Sequence, residues 1–98
     1  MDDPLREIAV HLCSVLEYCL IGTRAQLRDG HPVWLNGQAP VAGFAADAQS
    51  VTFMIWDADS VDDPSGRLET GPRISTVQLS SVAEVDRRLF TDWLHQAL

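Results

Sequence analysis

The sequence predicts an α+β domain: a four-stranded antiparallel meander with N- and C-terminal helices packed on one face. Apolar residues recur at three- and four-residue spacing near both ends of the chain, which is typical of amphipathic helices. The middle of the chain instead has short apolar runs separated by turn residues, which is typical of strands. Ninety-eight residues make one domain of ordinary size, so residues 1–98 are expected to share a single core.

The first helix is predicted to begin at Asp3-Pro4, because an acidic side chain suits the N-cap and proline suits the first turn. Gly22 suits the left-handed residue that ends a helix. Residues 24–29 are expected to form a short link, with helix as one option. The apolar stripe of this helix consists of Leu5, Ile8, Leu12, Val15, Leu16, Cys19 and Leu20.

Four strands are predicted after the link. Residues 33–35 lead into Asn36-Gly37, the strongest short hairpin signal, and residues 41–45 form the returning strand. Residues 51–56 are almost continuously apolar and are predicted to be a central strand with both faces at least partly covered. Residues 74–79 make the fourth strand.

A second amphipathic helix is predicted at the C-terminus. Ser81 and Glu84 have the spacing of a capping box, which marks a helix start. The apolar stripe of this helix consists of Val85, Leu89, Phe90, Trp93 and Leu94.

The charge balance argues against two classes of partner. The chain has 14 acidic and 7 basic residues and a net charge of −7, so nucleic acid and anionic membrane surfaces are both expected to repel it. The longest apolar stretch, residues 8–21, is interrupted by polar side chains and cannot span a membrane. An acidic N-terminal flank is unlike a secretory signal, so we expect a cytoplasmic protein.

Enzymatic activity has no positive signal in the sequence. No serine lies in a G-x-S-x-G turn, the glycines stand apart rather than forming a phosphate-binding loop, and the histidines match no known motif. Cys13 and Cys19 are six residues apart on a predicted helix, too far along its axis for a disulfide. We therefore expect a non-enzymatic protein without a resident cofactor.

Four clustered aspartates, Asp57, Asp59, Asp62 and Asp63, are the candidate metal ligands. An EF-hand is excluded, because a loop counted from Asp57 lacks the required residues at positions 5, 6 and 12. Residues 63–66, Asp-Pro-Ser-Gly, instead match a type I turn. The cluster is therefore interpreted as a solvated turn, and a weak site for iron or another divalent cation is the alternative, since neighbouring carboxylates repel one another.

Large aromatic side chains near the loops are the candidate binding surface. A sheet with helices on one face leaves its other face uncovered, and exposed aromatic residues mark interfaces or ligand grooves. Trp34, Trp56, Phe44 and His31 are predicted to form this ligand or interface surface, which would bind a second copy of the chain or a small molecule. The alternative is that both tryptophans pack beneath the helices.

Four segments together resemble one known family. "GHPVWLNG" (residues 30–37), "VTFMIW" (51–56), "VDDPSGRLETG" (61–71) and "AEVDRRLFTDWLHQAL" (83–98) occur in the order and spacing of YdhG-like domains, small intracellular proteins of unassigned function. The resemblance covers residues 5–98. It implies the α+β fold, and because some members are labelled frataxin-like iron chaperones, it also implies the cation-carrier alternative.

The chain departs from the pattern of that family at several positions. Such domains usually have a glutamate and an aromatic residue where Ala25 and Asp29 stand here, and a basic residue and a glycine where Asp57 and Ala58 stand. Pro72 replaces a usual lysine. These differences remove positions at which the family could bind an anion, and the missing glutamate weakens the carrier alternative.

Overall fold

A computed structural model describes residues 3–58 and 61–97. The chain forms an α+β domain with two helices and an antiparallel sheet. In chain order its elements are α1 (Asp3–Cys19), β1 (Arg24–Arg28), β2 (His31–Asn36), β3 (Ala39–Ala46), β4 (Val51–Trp56), β5 (Ile74–Leu79), a 3-10 turn (Val82–Glu84) and α2 (Arg87–Ala97).

The sheet is an antiparallel meander in the order β1-β2-β3-β4-β5. The prediction of four strands is wrong, because residues 24–28 form a fifth strand instead of a link. Asp29 and Gly30 have φ angles of 53° and 81°, and Arg28 pairs with His31. Two consecutive positive φ angles match the two-residue type I′ turn, whose twist suits the flanking strands.

The predicted hairpin between β2 and β3 is confirmed, with its turn one residue further along the chain. Asn36 pairs with Ala39, so Gly37 and Gln38 are the turn residues. Gly37 has a φ angle of 66° and Gln38 does not have a positive one, which is the pattern of a type II′ turn.

Both helices pack against the same face of the sheet. They contact each other, and each contacts β4, where Val51, Phe53 and Ile55 are completely buried. The ring centroids of Phe53 and Phe90 of α2 lie 5.0 Å apart. Alternate residues of a strand project to one face, so these positions define the helix side of the sheet and contain the main core.

The chain enters α2 through two successive caps. Ser81 and Glu84 form the predicted capping box, and Glu84 Oε1 accepts hydrogen bonds from the backbone N–H groups of Ser80 and Ser81 at 2.8 and 3.0 Å. This capping box lies at the N-terminus of the 3-10 turn and not at the N-terminus of α2. The Asp86 side chain caps α2 by accepting a hydrogen bond from the backbone N–H of Leu89 at 3.1 Å. Neither described helix combines the length and apolar character needed to cross a membrane.

Candidate functional site

The sheet face opposite the helices carries an apolar surface. Met54 and Trp56 alternate with the buried core residues of β4 and are half-buried. Trp56 pairs with Ile74, and Met54 pairs with Thr76, so their side chains are cross-strand neighbours. We call this surface the open face. Its apolar residues are Val33, Leu35, Met54, Trp56 and Ile74, and they lie outside the core cluster beneath the helices.

Strands β2 and β3 approach each other closely on the open face. Gly43 lies between Ala42 and Phe44, which face the helices, so a side chain at Gly43 would project to the open face. A Cβ atom built there would lie 2.5 Å from the carbonyl oxygen of Pro32, too close for non-bonded atoms. The backbone of β2 therefore occupies the space beside Gly43, and the register of the strand pair shifts nearby, between Trp34 and Leu35.

Two residues of this face are buried although they lie outside the core cluster beneath the helices. Val33 and Leu35 are only 4% and 2% exposed, and both alternate with Trp34 and therefore lie on the open face. The more exposed part of the open face is accordingly the β4–β5 end, with Met54, Trp56 and Ile74.

The four predicted surface residues separate into two pairs. Trp34 and Phe44 are 3% and 5% exposed and belong to the core beneath the helices, with ring centroids 6.1 Å apart. Their side chains therefore do not contribute to the open face. For Trp34, this agrees with the alternative prediction that the tryptophans pack beneath the helices. Trp56 and His31 are half-buried, and both alternate with helix-side residues, which places them on the open face.

Asp63 organises the loop between β4 and β5. Its carboxylate accepts hydrogen bonds from the backbone N–H groups of Ser65 and Leu68 at 3.0 and 2.8 Å, and from the Ser65 hydroxyl. Burial raises the pKa of this carboxyl, but hydrogen bonds from Ser65 and Leu68, with a smaller effect of the Trp93 indole, outweigh it and bring the pKa below its ordinary value of 3.8. The predicted turn, closed by a hydrogen bond from the Gly66 N–H to the Asp63 carbonyl, is thus built around this side chain.

Of the other candidate metal ligands, two lie at exposed positions and one lies outside the described residues. The Asp57 and Asp62 side chains are exposed, and Asp59 lies outside the described residues. Within residues 3–58 and 61–97, no three His, Cys, Asp or Glu side chains are grouped closely enough to hold a metal ion. The cation site stays a prediction, and the carboxylate of Asp63 is already used by the turn.

Two long-range contacts hold this loop against α2 and the 3-10 turn before it, and neither was predicted from the sequence. Gln96 hydrogen-bonds to the backbone of Asp62. Arg67 donates to the carbonyl oxygen of Glu84 at 2.7 Å, and its guanidinium carbon lies 5.5 Å from the centre of the Phe90 ring, within the range of a cation–π contact. Their partners are 34 and 17 residues away, so no local pattern could reveal them.

Shallow depressions lie elsewhere on the surface. One, of about 240 Å³, is lined by residues that include Arg67, Glu69 and Glu84, and another, of about 520 Å³, surrounds the β3–β4 turn at Asp47. Neither has a His or Cys in its lining.

Comparisons of the chain with known protein families, with curated proteins and with solved structures found no match. The fold and the surfaces described above are therefore the basis on which function is argued.

Proposed function

We propose that the protein is a non-enzymatic binding module whose contact surface is the open face and whose partner is a second copy of the same chain. The observation that carries this proposal is the half-buried patch of Met54, Trp56 and Ile74, which lies outside the core cluster beneath the helices. Apolar surface in such a position favours removal from water, and a large aromatic side chain is a typical anchor of an interface.

The size of the open face sets the strength of this contact. Five strands at about 4.8 Å spacing and six residues at about 3.3 Å rise give a projected area of about 500 Å². A standard interface buries about 800 Å² on each partner. Projecting side chains and neighbouring loops add to this projected area, but the contact is still expected to be no larger than a standard interface. We therefore expect a weak dimer, with a Kd of about 1–100 µM.

Sedimentation velocity over a range of protein concentrations tests this proposal. The native chain should shift from monomer to dimer as concentration rises. Trp56→Glu should remain monomeric, because a carboxylate buried in an apolar contact is costly. The matched control is Val10→Glu, which makes the same change of charge at an exposed position of α1 and should dimerise like the native chain.

Two results would overturn the proposal. One is a native chain that stays monomeric well above the expected Kd. The other is a dimer that survives Trp56→Glu unchanged. A monomer whose Trp56 fluorescence responds to small apolar molecules would instead favour the small-molecule alternative for the same surface.

We also propose that the chain is a YdhG-like domain and acts in the cytoplasm. The family assignment is supported by the order and spacing of the four segments in residues 30–98, and the location by the same resemblance, because such domains are intracellular. The cation-carrier alternative is supported only by the proximity of the four aspartates in sequence.

A further inference from the structure

The two edges of the sheet differ in how well they are covered. At β5, the backbone of Glu69 pairs with Thr76 through hydrogen bonds of 2.8 and 2.9 Å. At β1, all five residues are exposed, and within residues 3–58 and 61–97 only β2 pairs with this strand. An uncovered edge is a template for a further strand.

The register shows which backbone groups are available. Arg28 and His31 close a two-residue hairpin, and such a closing pair exchanges hydrogen bonds. Because bonding alternates along an antiparallel pair, Arg24, Gln26 and Arg28 direct their backbone groups to β2. Ala25 and Leu27 direct their N–H and C=O groups outward, which offers four hydrogen bonds to an added strand.

The side chains of β1 define what that strand should contain. Arg24 and Arg28 project to the same face, on either side of Gln26, and are exposed. They account for two of the seven basic residues in a chain of net charge −7. The opposite face carries Ala25 and Leu27, and Leu27 is 72% exposed. One face therefore favours acidic side chains and the other favours apolar ones.

We propose that the outer edge of β1 binds an extended acidic segment of a partner protein by antiparallel strand addition. Acidic residues of the segment lie opposite Arg24, Gln26 and Arg28, and apolar residues lie opposite Ala25 and Leu27. Main-chain hydrogen bonds hold the segment, and the alternating side chains select it. The main contact of this proposal is the backbone edge of β1 and not the surface around Trp56, although Arg24, Gln26 and Arg28 project to the open face because they pair with Leu35, Val33 and His31.

A second copy of this chain is a poorer occupant of the same edge. Symmetric antiparallel pairing centred on Gln26 would place Arg24 of one copy opposite Arg28 of the other, twice in each dimer. Like charges directly opposite one another destabilise a strand pair. The arginines therefore block self-pairing, as charged residues on edge strands commonly do, and at the same time favour an acidic strand.

Fluorescence anisotropy with a labelled peptide tests the proposal. The probe is a capped peptide with the central sequence Glu-Ile-Glu-Val-Glu, and the comparison peptides replace Glu by Lys or scramble the same residues. The acidic alternating peptide should bind the native chain at least about tenfold more tightly than either comparison peptide, and added salt should weaken it. Equal binding of all three peptides, or no binding, overturns the proposal.

Protein variants locate the binding edge. Arg24→Glu with Arg28→Glu should weaken binding at least about tenfold, whereas Arg6→Glu with Arg88→Glu makes the same charge change on exposed helix positions and should have far less effect. Leu27→Pro removes an outward N–H group, which an edge strand tolerates, and should abolish binding. Self-association of the native chain that Leu27→Pro removes would assign the edge to a second copy and overturn the proposal.

N-methylated peptides keep the test valid if Leu27→Pro does not fold. In antiparallel addition, the Ile and Val N–H groups of the probe point to β1, and the N–H of the central Glu points away. N-methylation of Ile and Val should therefore abolish binding to the native chain, and N-methylation of the central Glu should be tolerated. Equal effects of the two modifications would overturn strand addition.

Discussion

Gln96 of α2 and Asp62 in the β4–β5 loop form a reciprocal pair of hydrogen bonds. The Asp62 N–H donates to Gln96 Oε1 at 2.7 Å, and Gln96 Nε2 donates to the Asp62 carbonyl at 3.1 Å. Gln96 Nε2 also donates to Asp92 Oδ2 at 2.9 Å, which fixes the orientation of the amide. A single side chain thus satisfies both backbone groups of Asp62, much as a neighbouring strand would, and ties the loop to the C-terminal helix.

Gln96→Ala should lower the free energy of unfolding by about 1–2 kcal/mol, because two backbone hydrogen bonds are lost at a partly solvated site. Gln96→Glu should cost at least as much, since a carboxylate cannot donate to the Asp62 carbonyl and is repelled by Asp92. Urea unfolding measures both. Gln49→Ala is the control, because Gln49 contributes its backbone N–H to the β3–β4 turn and alanine retains that group. Similar losses of unfolding free energy in Gln96→Ala and Gln49→Ala would contradict a stabilising role of the Gln96–Asp62 hydrogen bonds.

The β3–β4 turn should make stability depend on pH through Asp47. Asp47 Oδ1 accepts hydrogen bonds from the N–H groups of Gln49 and Ser50 at 2.7 and 2.8 Å. These two bonds, foremost that of Gln49, hold the pKa of the Asp47 carboxyl below its ordinary value of 3.8. A folded-state pKa below the unfolded one means that the unfolded chain binds more protons. The stabilisation is therefore complete above the ordinary pKa and is lost as pH falls through the lowered one.

Asp47→Asn isolates this charge effect, since the amide oxygen can accept the same two hydrogen bonds. The difference in unfolding free energy between the native chain and Asp47→Asn should be largest near neutral pH and should shrink below about pH 4. Asp47→Ala removes the acceptor as well and should be less stable than Asp47→Asn at every pH. A difference between the native chain and Asp47→Asn that stays constant down to about pH 2 would refute the assignment.

Much of the fold follows from local sequence patterns. The helix stripes, the hairpin at Gly37 and the apolar strand β4 are each encoded within a few residues, so periodicity and turn chemistry predict them. The missed strand β1 is exposed at all five residues, and although its sequence alternates polar and apolar residues, it has no β-branched or aromatic residue of the kind that marks a strand. Asp29-Gly30 was the available signal, because that dipeptide is a type I′ hairpin turn when strands flank it.

The candidate site was less predictable, because it depends on which face each residue occupies. Trp34 and Trp56 have similar local surroundings in the sequence, apolar residues at the end of a strand. Trp34 faces the helices and Trp56 faces away, and only the strand register distinguishes them. A change of one residue in register exchanges the two faces of a strand, so composition could not decide between core and surface.

Gly43→Ala tests the close approach of β2 and β3 on the open face. The added methyl would lie 2.5 Å from the Pro32 carbonyl oxygen and 3.1 Å from Val33 Cα, and both are backbone atoms that cannot rotate away. The substitution should lower the free energy of unfolding by about 3 kcal/mol, as expected for overpacking, and should expose Val33 as the strands separate.

Gly37→Ala is the matched control for this substitution. Gly37 has a φ angle of 66° and no atom within 4 Å of the added Cβ, so only backbone strain opposes alanine there, at about 1 kcal/mol. Urea unfolding of the two variants separates steric overlap from conformational strain. A loss at Gly43 no larger than that at Gly37 would mean that β2 can move away from β3 freely, and that their close approach is not fixed by the sheet.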